Sequence, residues 1–203
     1  QLEVLKTGLP EYTVVGVGRE DGKTAGEYAP IFFKQAKYTL LDQNTFWLCE
    51  KPDSVGMVGW DAALTRIATW VKLQDKKTGQ ILMVVNTHFD HIGTEARRNS
   101  ALLIIEKIKE IVGTSPAILT GDFNVSEDWD AYKTITNNEF ILKDAHKVAG
   151  KRTGVDFTYH NFGKIPAEKC EKIDFIFVTP QIRVISSYIP FSQLNDTLFL
   201  SDH

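Results

Sequence analysis

Cysteine is scarce in this chain: Cys49 and Cys170, 121 positions apart, are the whole supply. That spacing suits neither a disulfide scaffold nor a thiolate metal cluster, so both read as small buried hydrophobes. No apolar run reaches the roughly 18 residues that a membrane-crossing helix needs. No signal-peptide pattern opens the chain, which starts at Gln1 rather than at a methionine, so localisation is not legible. A basic excess is also missing: 23 Lys and Arg stand against 26 Asp and Glu, a net charge of -3. A long groove for duplex nucleic acid is thereby disfavoured, although a metal ion and a few cations can hold a phosphate locally on an acidic protein. Repeats, linkers and low-complexity segments are absent, and residues 1–203 read as one domain with a sizeable core.

What is present alternates between strand and helix periods. Tyr12 to Gly18, Pro30 to Lys34 and Tyr38 to Leu41 are short β-branched and aromatic runs. Arg66 to Leu73 and Ile81 to Thr87 flank the polar turn DKKTGQ, which predicts an antiparallel hairpin. Between Thr94 and Val112 the apolar residues Ala101, Ile104, Ile105, Ile108 and Ile111 recur at steps of three and four, the mark of an amphipathic helix, and Gly113 stands where it would end. A short buried strand, Pro116 to Thr120, then a weaker helix at Trp129 to Thr136 and strands at Lys172 to Val178 and Ile182 to Tyr188 complete the pattern. Mostly antiparallel strands with two helices suggest an α/β sandwich, two packed sheets with helices outside.

Four polar signatures follow directly on apolar strands, where a rigid sheet can hold side chains on a common rim. They are His88, Asp122 with Asn124, Asp174, and Asp202-His203. In KIDFIFV the alternation sets Asp174 on the face of Lys172, Ile176 and Val178, opposite Ile173, Phe175 and Phe177. A carboxylate near the core needs a partner, and an imidazole is the natural one; a partly solvated carboxylate is the plainer alternative. Asp122 and Asn124 face the same way if strand geometry persists, pairing a proton-handling carboxylate with an amide donor for an anionic oxygen. On the tetrapeptide alone, a turn in which both side chains cap local backbone is an equal alternative. Asn86 to His91 packs two imidazoles and a carboxylate into six residues of a chain with five histidines. A polar surface loop would read the same way in isolation.

Together, N-T-H at 86–88, G-D-F-N at 121–124, K-I-D-F-I-F at 172–177 and S-D-H at 201–203 resemble the endonuclease/exonuclease/phosphatase superfamily, in its order. Gly26 to Phe33 and Gly59-Trp60-Asp61 look like its bacterial branch related to the carbon-catabolite-repressor deadenylases. The resemblance implies a four-layered α/β sandwich with two mostly antiparallel sheets, hydrolysing phosphoester bonds with Mg²⁺ or Mn²⁺. It implies His203 as the imidazole that activates water, Asp174 as its orienting partner and Asp202 as a metal ligand. His88 would donate to a phosphate oxygen, Asp122 would position the nucleophile or manage a proton, and Asn124 would hold the phosphate. Glu27, Asp90 and Arg97 are further candidates at the substrate rim, each with a plainer alternative as a loop or helix charge. RNA, single-stranded DNA and small phosphorylated molecules all fit as substrates, and the loops Arg19 to Gly26, Thr45 to Gly59 and Lys147 to Lys169, with Trp47, Phe157, Tyr159 and Phe162, would select among them.

Two departures from the pattern stand out. Family members carry an early strand with an Asn and then a Gln-Glu pair whose Glu is the principal metal ligand, and nothing before Glu27 matches either. The chain also stops at the His203 that normally precedes a final core strand, so a fragment cut at both ends is expected. Two other functions compete. A binuclear zinc hydrolase would use His88, Asp90 and His91 with His146 or His160, but leaves Asp174 and S-D-H without a purpose. A non-catalytic binding domain on the same fold would explain the missing Glu.

Overall fold

The computed structural model describes residues 2–203 apart from 138, 139, 141, 192, 196 and 197. In chain order it contains α1 (Leu2–Gly8), β1 (Tyr12–Val15), β2 (Ile31–Lys34), β3 (Tyr38–Trp47), β4 (Ile67–Asp75), β5 (Ile81–His88), α2 (Thr94–Val112) and β6 (Ala117–Asp122). There follow α3 (Asp130–Thr136), β7 (Lys143–Asp144), α4 (Ala145–Val148), β8 (Lys151–Gly154), β9 (Asp174–Val178), β10 (Ser186–Ile189), β11 (Gln193–Asn195) and β12 (Leu198–Phe199).

Six strands form the central sheet in the order β3-β4-β5-β6-β9-β7. Only β5 and β6 run parallel, as their connection through the long helix α2 requires. Alternation decides the two faces. Trp70, Met83, Val85, Leu119, Phe175 and Phe177 point to the side of α2 and α3, where they pack with Ile104, Ile108 and Ile135. Burying each such side chain is worth about 1.5–3 kcal/mol. Val71, Leu73 and Val84 point the other way and pack under the antiparallel pair β1–β2 through Val15, Ile31 and Phe33. A second pair, parallel β8–β10, lies beyond a cleft of about 540 Å³ lined by Asn86, Thr120, Ile176 and Ser187 among others. The architecture is the expected α/β sandwich, with α2 and α3 over one face of a mixed sheet and the small sheets over the other, where α4 lies against β10.

The helix at Thr94–Val112 and its stop at Gly113, which takes φ 58, match the periodicity. β3 runs six residues past the expected Leu41, through DQNTFW, because an edge strand with a register shift between Leu40 and Asp42 tolerates polar residues that hide it from pattern reading. The last long strand is shifted as well, to Ser186–Ile189 rather than Ile182–Tyr188. Cys49 is buried as expected, whereas Cys170 is only half-buried, and both thiols are free.

Candidate active site

Strand register brings the polar signatures together. His88 at the end of β5 lies opposite Asp122 at the end of β6, and Asp122 lies opposite Asp174 at the start of β9. The approach of β5 to β6 depends on Gly121: a Cβ there would sit 2.2 Å from the Thr87 carbonyl oxygen, and its φ is 155°. The glycine of G-D-F-N is thus what lets His88 and Asp122 stand side by side.

The Asp122 carboxylate is the focus. Its Oδ2 lies 3.3 Å from His88 Nε2 and 3.7 Å from His203 Nε2. His203 Nδ1 in turn lies 2.6 Å from Asp174 Oδ2. Asp174 is half-buried, on the face opposite Phe175 and Phe177, and has the imidazole partner that its setting calls for. Thr158 Oγ1 accepts hydrogen bonds from the N–H groups of Ile173 and Asp174, 3.0 Å each, and so fixes the start of β9.

Electrostatics separate the two histidines. Burial, and then the Arg66 guanidinium, lower His88 to about 4, so it is neutral at pH 7 and its contact with Asp122 is not an ion pair. The hydrogen bond to Asp174 raises His203 above its ordinary value, against the opposing effect of burial. Asp122 is pushed up to about 6, first by burial and then by the charge of Asp174.

Four more candidates have clear places. Glu27 is exposed and its Oε2 pairs with Arg19, with Arg66 Nη1 at 3.9 Å and His88 Nδ1 at 3.8 Å. Asp90 is buried: Oδ1 accepts the N–H groups of Ile92 and Gly93, while Oδ2 accepts Leu64 N–H and Arg66 Nε–H. Burial alone would raise Asp90, but its backbone hydrogen bonds, led by Gly93, outweigh burial and lower it. Arg97, also buried, donates to the Asp90 carbonyl and stacks 4.8 Å from the Trp129 ring centroid. These two side chains therefore fix the loop after His88 from inside rather than standing on the rim. The strand ends at Asp122, and Asn124, with φ 49°, donates its own N–H to Asp122 Oδ1 and its amide to the Phe89 carbonyl. Asp122 therefore caps local backbone through Oδ1 while Oδ2 faces His88 and His203.

Asp202 is half-buried and takes a 3.5 Å hydrogen bond from Ser201 Oγ. Among the described residues, the group whose potential metal-ligand atoms all lie within 4.8 Å of one another is Asp122, Asp174 and His203. The histidines of the zinc alternative do not converge: His91 Nδ1 faces Arg66 Nη2 at 3.1 Å, His146 Nδ1 faces Ser187 Oγ at 2.9 Å, and His160 accepts Gly163 N–H. Trp47, a stacking candidate, is buried and donates Nε1–H to the Arg19 carbonyl.

Arg19 and Arg66 flank Glu27 and His88 without forming part of any motif in the sequence. Arg66 is buried with Nη1 lacking a hydrogen-bond partner among the described residues, and it supplies much of the positive potential beside His88. The available signal was its position, a charge at the head of the otherwise apolar RIATWV. Arg19 has no comparable signal, since it belongs to a polar loop.

The strand-end carboxylates and imidazoles thus share one rim of an α/β sandwich. The model of the Endonuclease/Exonuclease/phosphatase family matches residues 10–203, and the chain belongs to that family. It is similar to an endonuclease/exonuclease/phosphatase of Bacteroides vulgatus, at 65% identity and a TM-score of 0.96, over 100% of this chain and 77% of that one. The mannosyl-6-phosphatase of Bacteroides thetaiotaomicron VPI-5482 is 40% identical with a TM-score of 0.85, over 91% and 69% of the two chains. An uncharacterised protein of Acanthamoeba polyphaga mimivirus is 30% identical over 100% of this chain and 77% of its own.

Proposed function

We propose that this chain hydrolyses phosphoesters with the help of Mg²⁺ or Mn²⁺, and that a phosphorylated sugar is its substrate class. The observation that carries the chemistry is the 2.6 Å contact between His203 Nδ1 and Asp174, with His203 Nε2 turned toward Asp122. Nδ1 donates to the Asp174 carboxylate, which leaves Nε2 as the acceptor for a proton from water and stabilises the imidazolium that results. His88 stays neutral and offers an N–H to a phosphate oxygen without needing a proton from solvent. Asp122, raised toward neutrality, is suited to orient the water or pass a proton. Asn124, tied to Phe89, braces Asp122 and presents its amide beside the phosphate, and Glu27 holds Arg19 and Arg66 at the substrate side of His88.

The residues present fit a hard divalent cation. Asp122 and Asp174 are neighbouring carboxylates, and burial followed by repulsion from Asp174 raises Asp122, both of which a bound cation would offset. They would hold the ion, with Asp202 as the further carboxylate that the family resemblance names. When bound, the ion supplies Lewis-acid stabilisation of charge on the phosphate oxygens.

The sugar-phosphate assignment leans on the 40% identical mannosyl-6-phosphatase and on the net charge of -3, which gives a polynucleotide little to bind. The test is turnover of mannose 6-phosphate, p-nitrophenyl phosphate, bis-p-nitrophenyl phosphate, oligo(A) and single-stranded DNA, with Mg²⁺, Mn²⁺ or EDTA. Metal-dependent release of phosphate from the monoesters, lost in His203→Ala, supports the proposal. Cleavage of the polynucleotides alone would move the substrate to nucleic acid, and no turnover anywhere would favour a binding domain.

A further inference from the structure

The segment Thr158–Gly163 touches both members of the His203–Asp174 pair without belonging to either strand end. Thr158 takes the Asp174 N–H, and the Tyr159 ring packs edge-on against the His203 ring with centroids 5.2 Å apart. The next two backbone N–H groups, of His160 and Asn161, both donate to the carbonyl of Asp202, at 2.9 and 3.0 Å, one residue before His203. Aiming consecutive N–H groups at one oxygen demands an unusual backbone, and Asn161, Phe162 and Gly163 have φ values of 47°, 53° and 71°. Left-handed conformation is unfavourable for asparagine and more so for phenylalanine, so something must hold the turn. The ring of His160 does so, beside the backbone bonds from Lys164 N–H to the Asn161 carbonyl and from Ile165 N–H to the His160 carbonyl. Its Nδ1 lies 3.0 Å from the Gly163 nitrogen, which can only donate, so Nδ1 accepts and the ring proton sits on Nε2. The imidazole is buried, with Phe199, Phe191 and Phe157 at 4.7, 5.4 and 6.3 Å between centroids. A leucine would suit such a pocket, and only the acceptor explains a histidine there.

We propose that His160 is a positioning residue for hydrolysis: by closing the left-handed turn it clamps the Asp202 carbonyl and so sets His203 against Asp174. This rests on the proposed role of that pair in catalysis. Two full-chain variants separate acceptor from packing. His160→Leu keeps an apolar side chain and loses the acceptor, and His160→Asn restores an acceptor through Oδ1. The measurements are the low-field Nδ1–H proton resonance of His203 in the ¹⁵N-labelled protein, assigned by its loss in His203→Gln, together with kcat, KM and thermal melting.

The resonance should vanish or broaden in His160→Leu and persist in His160→Asn. With a monoester substrate, kcat should fall on the order of 10²-fold in His160→Leu, the scale for a misplaced catalytic group, with KM little changed, and recover in His160→Asn. A resonance that survives in His160→Leu overturns the proposal, as does a loss of kcat in both variants that only tracks their melting temperatures. If the unaltered chain turns over no substrate, the catalytic role of the pair fails, while the resonance still decides whether His160 positions His203.

Discussion

His203 and His88 both meet Asp122, yet their surroundings drive them in opposite directions. In metal-free protein, an NMR titration should find His88 changing charge near pH 4 and His203 above the ordinary histidine value of about 6.5. Linkage then fixes the signs. Between about 6.5 and 4 the unfolded chain binds a proton at residue 88 that the folded chain refuses, so His88 makes the protein less stable as pH falls through that window. The His203–Asp174 contact acts the other way: its stabilisation is complete below about 6.5 and is lost as pH rises through the raised folded value. A general base must be unprotonated to act, so if His203 has the proposed role, turnover should climb with pH over the same upper window. Replacing His203 by alanine should lower kcat by about 10²–10⁴-fold, the usual worth of a positioned general base, while the melting temperature should fall mainly at low pH, where the contact with Asp174 is stabilising. Near-normal turnover in that variant would remove His203 from the mechanism.

At the scale of elements, the helix α2 carries the site's loop and is capped from a distance. Its own first residues offer no side-chain cap; Asp61, from the loop before β4, accepts the N–H groups of Glu95 and Ala96. Asp61→Ala should cost about 0.5–2 kcal/mol in chemical denaturation, as for a lost N-cap. Asp90 ties the same helix entrance to β4 through Arg66, and both side chains are almost wholly buried. Its replacement by alanine removes the buried carboxylate partner of the Arg66 guanidinium and leaves it only exposed Glu27 and the His91 ring, a loss of up to about 3–5 kcal/mol. If Asp90 instead contacts substrate, that variant will show a raised KM with stability unchanged, so denaturation and kinetics together assign the role.

For the whole molecule, the property to measure is the cation binding proposed above for the crowded Asp122–Asp174 pair. Mg²⁺ or Mn²⁺ at about 100 times its dissociation constant should stabilise the fold by about 2.7 kcal/mol, seen as a rise in melting temperature that EDTA reverses. The rise should be much reduced in Asp122→Asn. An equal rise in that variant would place the cation elsewhere.

Local pattern was enough for a good share of this. The helix Thr94–Val112, the hairpin around DKKTGQ and the burial of Phe175 and Phe177 opposite Asp174 follow from apolar period and turn chemistry, which depend on neighbours in sequence. The candidates His88 and Asp122 are legible because each follows an apolar run, Asp174 because it interrupts one, and His203 through the S-D-H pattern. Tertiary structure alone decided the rest. Pairing across β5, β6 and β9 determined that those four residues meet, and Gly121 that two of them meet closely. A hydrogen bond from Arg66, 24 positions away, holds Asp90 inward, and burial followed by the charge of Arg66 sets His88 apart from His203. Such effects depend on distance and burial between residues far apart in the chain, and no local pattern encodes either.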